Sequence, residues 1–220
     1  MYFKSRVDAG QQLAKLIEKK YKGADCAVVA LNDGGVMVGA QIALQLHCVL
    51  TMLMTEAINL PREDAAVGGI SQDGAFSYNH KFSQGELDEL TSEYYHFIEQ
   101  EKMAKMQEMH RSQGTHGGLI RKSLIREKNI ILVTDGLLDG FALDVALEYL
   151  KPIHINKIIV ATPLASVPAV DRMHILADEI FCLSVLTDYI STDHYYDTSD
   201  IPPHDKVVKT IEQIISHWES

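Results

Sequence analysis

The chain has 220 residues and carries 20 Lys and Arg against 30 Asp and Glu, a formal net charge of −10. With 46% hydrophobic residues it has too much apolar content for a disordered chain, and its length suits one sizeable domain or a domain with a large insertion. The acidic balance argues against nucleic acid as a partner, because that binding rests on neutralising phosphates. No apolar run approaches the roughly 20 residues of a membrane span, and no apolar signal segment follows Met1 to Ser5. Cys26, Cys48 and Cys182 lie in apolar runs without any CxxC spacing, which reads as buried free thiols in a reducing compartment. A cytoplasmic protein with no membrane partner is the expectation.

Arg6 to Tyr21 reads as a helix, with Ala9, Leu13, Leu16 and Ile17 on one face. Cys26 to Leu31 is wholly apolar, the pattern of a strand buried on both sides of a parallel sheet. Asn32-Asp33-Gly34-Gly35 breaks that run, Val36 to Leu46 reads as a helix and Cys48 to Met54 as a second strand. The character then changes. Leu60-Pro61 is a stop, Ala66 to Ser77 has the glycines of a hairpin around Asp73-Gly74, and Glu86 to His110 reads as one long helix. Its Met103, Met106 and Met109 form a stripe suited to core or interface packing, so a homo-oligomer is one expectation. Gly114 to Gly118 is a polar loop.

Strand–helix alternation then resumes. Asn129 to Val133, Lys157 to Ala161 and Glu179 to Leu183 read as strands. Asp139 to Leu150 and Ser166 to Leu176 read as helices, and a last helix follows Pro202-Pro203 with Val207, Val208, Ile211, Ile214, Ile215 and Trp218 on one stripe. The expected fold is α/β: a Rossmann-like twisted parallel sheet flanked by helices, one domain over 1–220 with a hood inserted at about 55–128.

In such sheets ligands bind beyond the carboxyl ends of the strands. Two strand-to-helix loops qualify there, Asn32 to Gly35 and Thr134 to Gly140, whose glycines let backbone N–H groups approach an anion at a helix N-terminus. Tight structural turns, with Asp139 as N-cap of the next helix, are the plainer reading of each loop alone.

Taken together the motifs resemble a known family. Phe3, Arg6, Asp8-Ala9-Gly10 and Leu13-Ala14, then Asp33-Gly34-Gly35-Val36, then Pro61, Glu63, Ala65 and Gly68, resemble the order and spacing of a type I phosphoribosyltransferase. The strongest likeness is Ile130 to Ala142, similar to that family's phosphoribosyl pyrophosphate loop, where an apolar strand leads into two acids, a Gly and a Thr-Gly-x-Thr turn. Tyr189 and its acidic surroundings fit as well. The resemblance implies that Thr134, Gly136, Asp139, Gly140, Phe141, Ala142, Asp33, Gly34 and Gly35 face a small phosphorylated or nucleotide-like ligand. It implies that Asp135, in an active enzyme, would be the catalytic residue that stabilises the ribose side of an oxocarbenium-like transition state, and that the segment around His194-Tyr195-Tyr196-Asp197 approaches a nucleobase.

Several positions depart from the pattern. Thr134 stands where the first of the paired acids would be, Asp139 replaces the Thr that would hold the 5′-phosphate, and Phe141 and Ala142 replace a small and a hydroxyl residue. Asp33 stands where several relatives carry Arg, and Glu56 falls near the place of a pyrophosphate-holding Lys. A lost hydrogen bond to phosphate costs about 1.5–3 kcal/mol. A carboxylate ~4 Å from a phosphate charge costs about 4 kcal/mol at an effective dielectric of 20. A few such terms exceed the roughly 4–8 kcal/mol of a millimolar-to-micromolar ligand. The departures favour a family member that has lost the reaction and keeps a ligand-binding, regulatory or assembly role. The alternative is an active enzyme that joins a phosphoribosyl group to a nucleobase or related nitrogenous base, with Asp135 and Asp139 sharing a Mg2+ as hard carboxylate ligands.

Other constellations carry less. Asp135 to Asp139 lacks the second carboxylate two residues on that a dehalogenase-type phosphatase loop needs, since residue 137 is Leu. The ten histidines include no HExxH pair, Gly-x-Ser-x-Gly is absent, and Arg121, Lys122, Arg126 and Lys128 read as a solvated basic face.

Overall fold

The computed structural model describes residues 2–61, 63, 65–112 and 120–218, with side chains through 216. The Gly114–Gly118 loop and the Trp218 side chain lie outside the described residues. In chain order the elements are α1 (Arg6–Tyr21), β1 (Cys26–Ala30), α2 (Asp33–Leu46), β2 (Val49–Met52), β3 (Thr55–Ile58), β4 (Gly68–Ser71), β5 (Phe76–Tyr78), α3 (Gln84–Ser112), α4 (Lys122–Ile125), β6 (Asn129–Val133), α5 (Phe141–Leu150), β7 (Lys157–Ser166), α6 (Val167–Leu176), β8 (Glu179–Leu186) and α7 (His204–Trp218). Among them no helix is long and apolar enough to cross a membrane.

Two compact units result: one from Met1–Leu53, Leu119–Gly140 and Ile153–Ser220, the other from Met54–Gly118 and Phe141–Pro152. The first holds a five-stranded sheet of order β2-β1-β6-β7-β8, parallel throughout, with Val29 opposite Thr51 on one side and Leu132 on the other. β1 is buried at every position, as its unbroken apolar run requires. α2 connects β1 leftward to β2 and α6 connects β7 rightward to β8. Right-handed crossovers in opposite directions put these helices on opposite faces.

Strand order reverses between β1 and β6, and ligands of open α/β sheets bind at such a switch point. The loops that follow β1 and β6 are the two singled out from the sequence.

The α1 N-terminus leaves no amide unsatisfied. Asp200 accepts from the N–H groups of Arg6 at 3.0 Å and Val7 at 3.2 Å, and Ser5 accepts from Asp8 through Oγ and from Ala9 through its carbonyl.

The helices that follow the β1 and β6 loops start elsewhere than expected. α2 begins at Asp33, not Val36, because Asn32 caps it: its Oδ1 accepts from Gly35 N at 2.6 Å, and Asp33 to Gly35 become the first turn. α5 begins at Phe141, not Asp139, behind Gly140 at φ 75°. The second strand of the resumed pattern runs to Ser166 rather than Ala161. Its pairing with β8 skips Pro163, which has no N–H to give, and continues at Leu164.

In the second unit β3, β4 and β5 form an antiparallel sheet, with Gly74 at φ 85° in the β4–β5 turn. The Ser83/Glu86 capping box starts α3, and Tyr94 (φ −107°, ψ 18°) kinks it. Ile58, Leu60, Val67, Ile70, Ile98 and Met109 form the core, Met106 packs against it, and Met103 is exposed.

Candidate functional site

At the switch point the side chains converge on Asp135. Its Oδ2 accepts from Arg6 Nε at 2.6 Å and its Oδ1 from Asn32 Nδ2 at 2.8 Å. The Tyr196 hydroxyl donates to the Asp135 carbonyl at 2.6 Å. Arg6 and Asp135 are buried, with side-chain exposures of 1% and 4%. The Tyr196 ring lies 4.5 Å from the guanidinium carbon and covers one face of it. Arg6 also pairs through Nη2 with Asp193, whose side chain is 72% exposed, and Asp200 lies 3.7 Å from Nη1.

Burial by itself would lower the Arg6 pKa, but the hydrogen bonds and charges of Asp193 and Asp135 outweigh it and push the value up. The guanidinium is therefore a permanent cation inside the site. Burial, reinforced by the Asp135 charge, pushes the Tyr196 hydroxyl well above its ordinary range, so it remains a donor.

The glycines are explained by close approach. A Cβ at Gly34 would overlap Asp135 Oδ2 and come within 2.9 Å of Arg6 Nε. One at Gly35 would lie 2.7 Å from both Asn32 Oδ1 and the Val133 carbonyl. Gly136 would meet the Tyr189 hydroxyl and Thr192, which bond each other at 2.7 Å. Burial also raises the Tyr189 pKa.

The loop after β6 is held by its own neighbours. The Thr134 hydroxyl donates to the Gly136 carbonyl at 3.0 Å. Leu137 N donates to Leu164 O and accepts from Ser166 N through its carbonyl, both at 3.0 Å. The Ser166 hydroxyl donates to Leu138 O. Gly140 combines positive φ with Arg172 Cβ only 2.9 Å from where its own Cβ would be.

Of the positions singled out from the sequence, Gly34, Gly35, Thr134, Asp135 and Gly136 are brought together. Asp33 turns instead to His204 at the start of α7, Oδ1 to Nδ1 2.8 Å. Asp139 is partly exposed. Phe141 and Ala142 belong to α5 in the second unit, where the Phe141 ring lies against Gly69. Glu56, also in that unit, pairs with Lys105 at 3.4 Å. Sequence reasoning names Arg6 and Tyr196 but gives them no role at Asp135, and it does not single out Asn32, Asp193 and Asp200 as site side chains. A signal for Arg6 exists: it lies one turn before Ala9 on the apolar stripe of α1, and a charge on a buried stripe calls for a buried partner.

Comparison with known proteins agrees with this architecture. The family model described as "Phosphoribosyl transferase domain" matches residues 4–199. Two Mycobacterium tuberculosis proteins, from strains CDC 1551 / Oshkosh and ATCC 25618 / H37Rv, carry "phosphoribosyl transferase" in their names. Each is 25% identical over 212 residues, covering 96% of this chain and 46% of the relative. The chain thus spans about half the length of the curated relatives it matches. The crystal structure of TT1426 from Thermus thermophilus superposes with a TM-score of 0.71 at 22% identity, over 99% of both chains, and has the same fold. By the family match over nearly its whole length and the parallel sheet that carries both loops, the chain belongs to the type I phosphoribosyltransferase family.

Proposed function

We propose that this family member no longer carries out phosphoribosyl transfer and that its site serves ligand binding, regulation or assembly. The observation that carries this is the state of Asp135. The acid that would face the ribose is buried, has both carboxylate oxygens bonded by Arg6 and Asn32, and has its backbone carbonyl held by the Tyr196 hydroxyl. Freeing one member of such a buried ion pair costs about 3–5 kcal/mol, and a donor bound at micromolar to millimolar concentration supplies only about 4–8 kcal/mol. Thr134, at the position of the other acid, has its hydroxyl turned back into its own loop.

The Mg2+ implied by the resemblance does not fit these residues. A dication at Asp135 would have to displace a buried guanidinium, and among the described residues no group of three or more His, Cys, Asp or Glu is arranged to hold a metal. No step through a metal is therefore assigned to this chain.

The second reading, an active Mg2+-dependent enzyme acting on a nucleobase or related base, is favoured by one observation. The glycine backbone of both loops is intact, with Gly34 and Gly35 in the first turn of α2 and Gly140 at φ 75°. It would require Arg6 to release Asp135. Calorimetric titration of the folded chain with phosphoribosyl pyrophosphate and Mg2+ to millimolar concentration separates the two. We expect no turnover of any base and no binding heat that depends on Mg2+. Turnover, or Mg2+-dependent binding of the donor, overturns the proposal.

A further inference from the structure

The Arg6 guanidinium is incompletely used. Nε serves Asp135 and Nη2 serves Asp193, but Nη1 is buried with no hydrogen-bond partner, Asp200 standing off at 3.7 Å. A planar fork with two adjacent N–H groups at its end is matched by an anion with two oxygens on one atom. Asp193 contributes one oxygen to Nη2 and leaves Nη1 empty.

Its two neighbours in the fork are anchored. Asp135 is buried with both oxygens bonded, and Asp200 spends both oxygens on the first amides of α1. Asp193 is not: it sits in a 3-10 turn (Asp193–Tyr195) with 72% of its side chain exposed. The hydroxyls of Tyr189 and Thr192 bond each other over Gly136, the residue after Asp135, and Thr192 directly precedes Asp193 in the chain.

We propose that Asp193 is an internal stand-in for a small oxyanion ligand, carboxylate or phosphate, which displaces it and closes on Nη1 and Nη2 of Arg6. A carboxylate ligand in the place of Asp193 keeps the charge on the fork unchanged, and a phosphate brings at least as much negative charge to it. The ligand gains the second N–H that Asp193 does not use, and the hydroxyls of Thr192 and Tyr189 are at hand for its remaining oxygens. The turn that carries Asp193 then swings outward, and Tyr195 and His194 move with it. This names the ligand class of the site proposed above, and it rests on that reading for Asp135 remaining with Arg6 when the ligand binds.

The test is a titration of the full chain and of Asp193→Asn with inorganic phosphate, and separately with acetate, at constant ionic strength and without divalent metal. Tyrosine fluorescence and calorimetry are the readouts. Asp193→Asn removes the competing charge and keeps the shape, so it should bind at least one of the two anions about tenfold more tightly than the parent, or more. Arg6→Lys in that background keeps a cation beside Asp135 but lacks the fork, and should lose the gain. If Arg6→Lys fails to fold, the Asp193→Asn comparison decides alone.

A response to phosphate only assigns the site to phosphate-bearing ligands, and a response to acetate only assigns it to carboxylates. Equal affinities in parent and variant, or no binding by either folded protein, overturn the proposal. The probes contain neither ribose nor metal, so this failure is distinct from the outcome of the phosphoribosyl pyrophosphate titration.

Discussion

Asp135→Ala should be costly to stability, in the manner of a structural residue, and the cost can be worked from its partners. The substitution removes two charge-assisted bonds to the carboxylate, one from Arg6 and one from Asn32, each about 1.5–3 kcal/mol. It also leaves a buried guanidinium partly uncompensated, and breaking a buried pair from one side costs about 3–5 kcal/mol in all. Asp193 and Asp200 remain near Arg6, which favours the lower part of that range. A loss of about 3 kcal/mol at this chain length corresponds to roughly 6–12 °C in Tm. Asp193→Ala removes a partner of the same guanidinium from its exposed side, and should cost about 1 kcal/mol or less. Urea unfolding of the three proteins, followed by circular dichroism with the slope checked for constancy, measures both numbers. If Asp135→Ala is within about 0.5 kcal/mol of the parent, where substitutions away from buried networks fall, then Asp135 is not a structural member of a buried network. The main support for a lost reaction would go with it.

Gly34→Ala should destabilise by an amount comparable to Asp135→Ala, because its Cβ needs the space of Asp135 Oδ2 and crowds Arg6 Nε. Thermal unfolding of the single and double variants should show the two losses far from additive, and simple additivity would argue against a shared contact. Burial pushes the Cys48 thiol up from 9.0 to about 12, which cuts its thiolate fraction near pH 8 about a thousandfold, so disulfide reagents should label it only on unfolding. The neutral thiol is the form the fold favours. This contribution to stability is therefore complete below the unfolded value and is lost as pH rises from about 9 to about 12. Alkaline unfolding of Cys48→Ala compared with the parent should show a smaller loss over that interval, and fast native-state labelling at pH 8 would refute the burial argument.

Much of the sheet was legible because its signal is local. Cys26 to Ala30 and Asn129 to Val133 are unbroken apolar runs, and a strand buried on both faces leaves that mark. The hairpin around Asp73-Gly74 was legible for the same reason. Boundaries that depend on tertiary contact were not. Asp33-Gly34-Gly35 reads as a break because glycine is a poor helix former, yet it opens α2 because only glycine lets that turn lie against Asp135. The strand through Pro163 reads as ending before it, and the ladder skips the one position where proline has nothing to donate. At the site the loops could be read from glycine and acid spacing, but the partner of Asp135 could not. Arg6 is 129 positions away in sequence, and nothing local links the two.

The manner in which α1 is capped bears on how the chain matures during synthesis. Arg6 and Val7 are held by Asp200, Phe3 donates to the carbonyl of Tyr195, and Arg6 meets Asp193, all spanning more than 180 positions. Contacts of such separation form late, after the loop between them has been closed. On a ribosome, β1, α2 and β2 can associate while α1 still lacks the acceptor for its first two amides and the cation at its first position still lacks its carboxylates. The nascent chain therefore carries an unfinished site until Asp200 has emerged, and the residues that complete it are translated after all five strands of the parallel sheet.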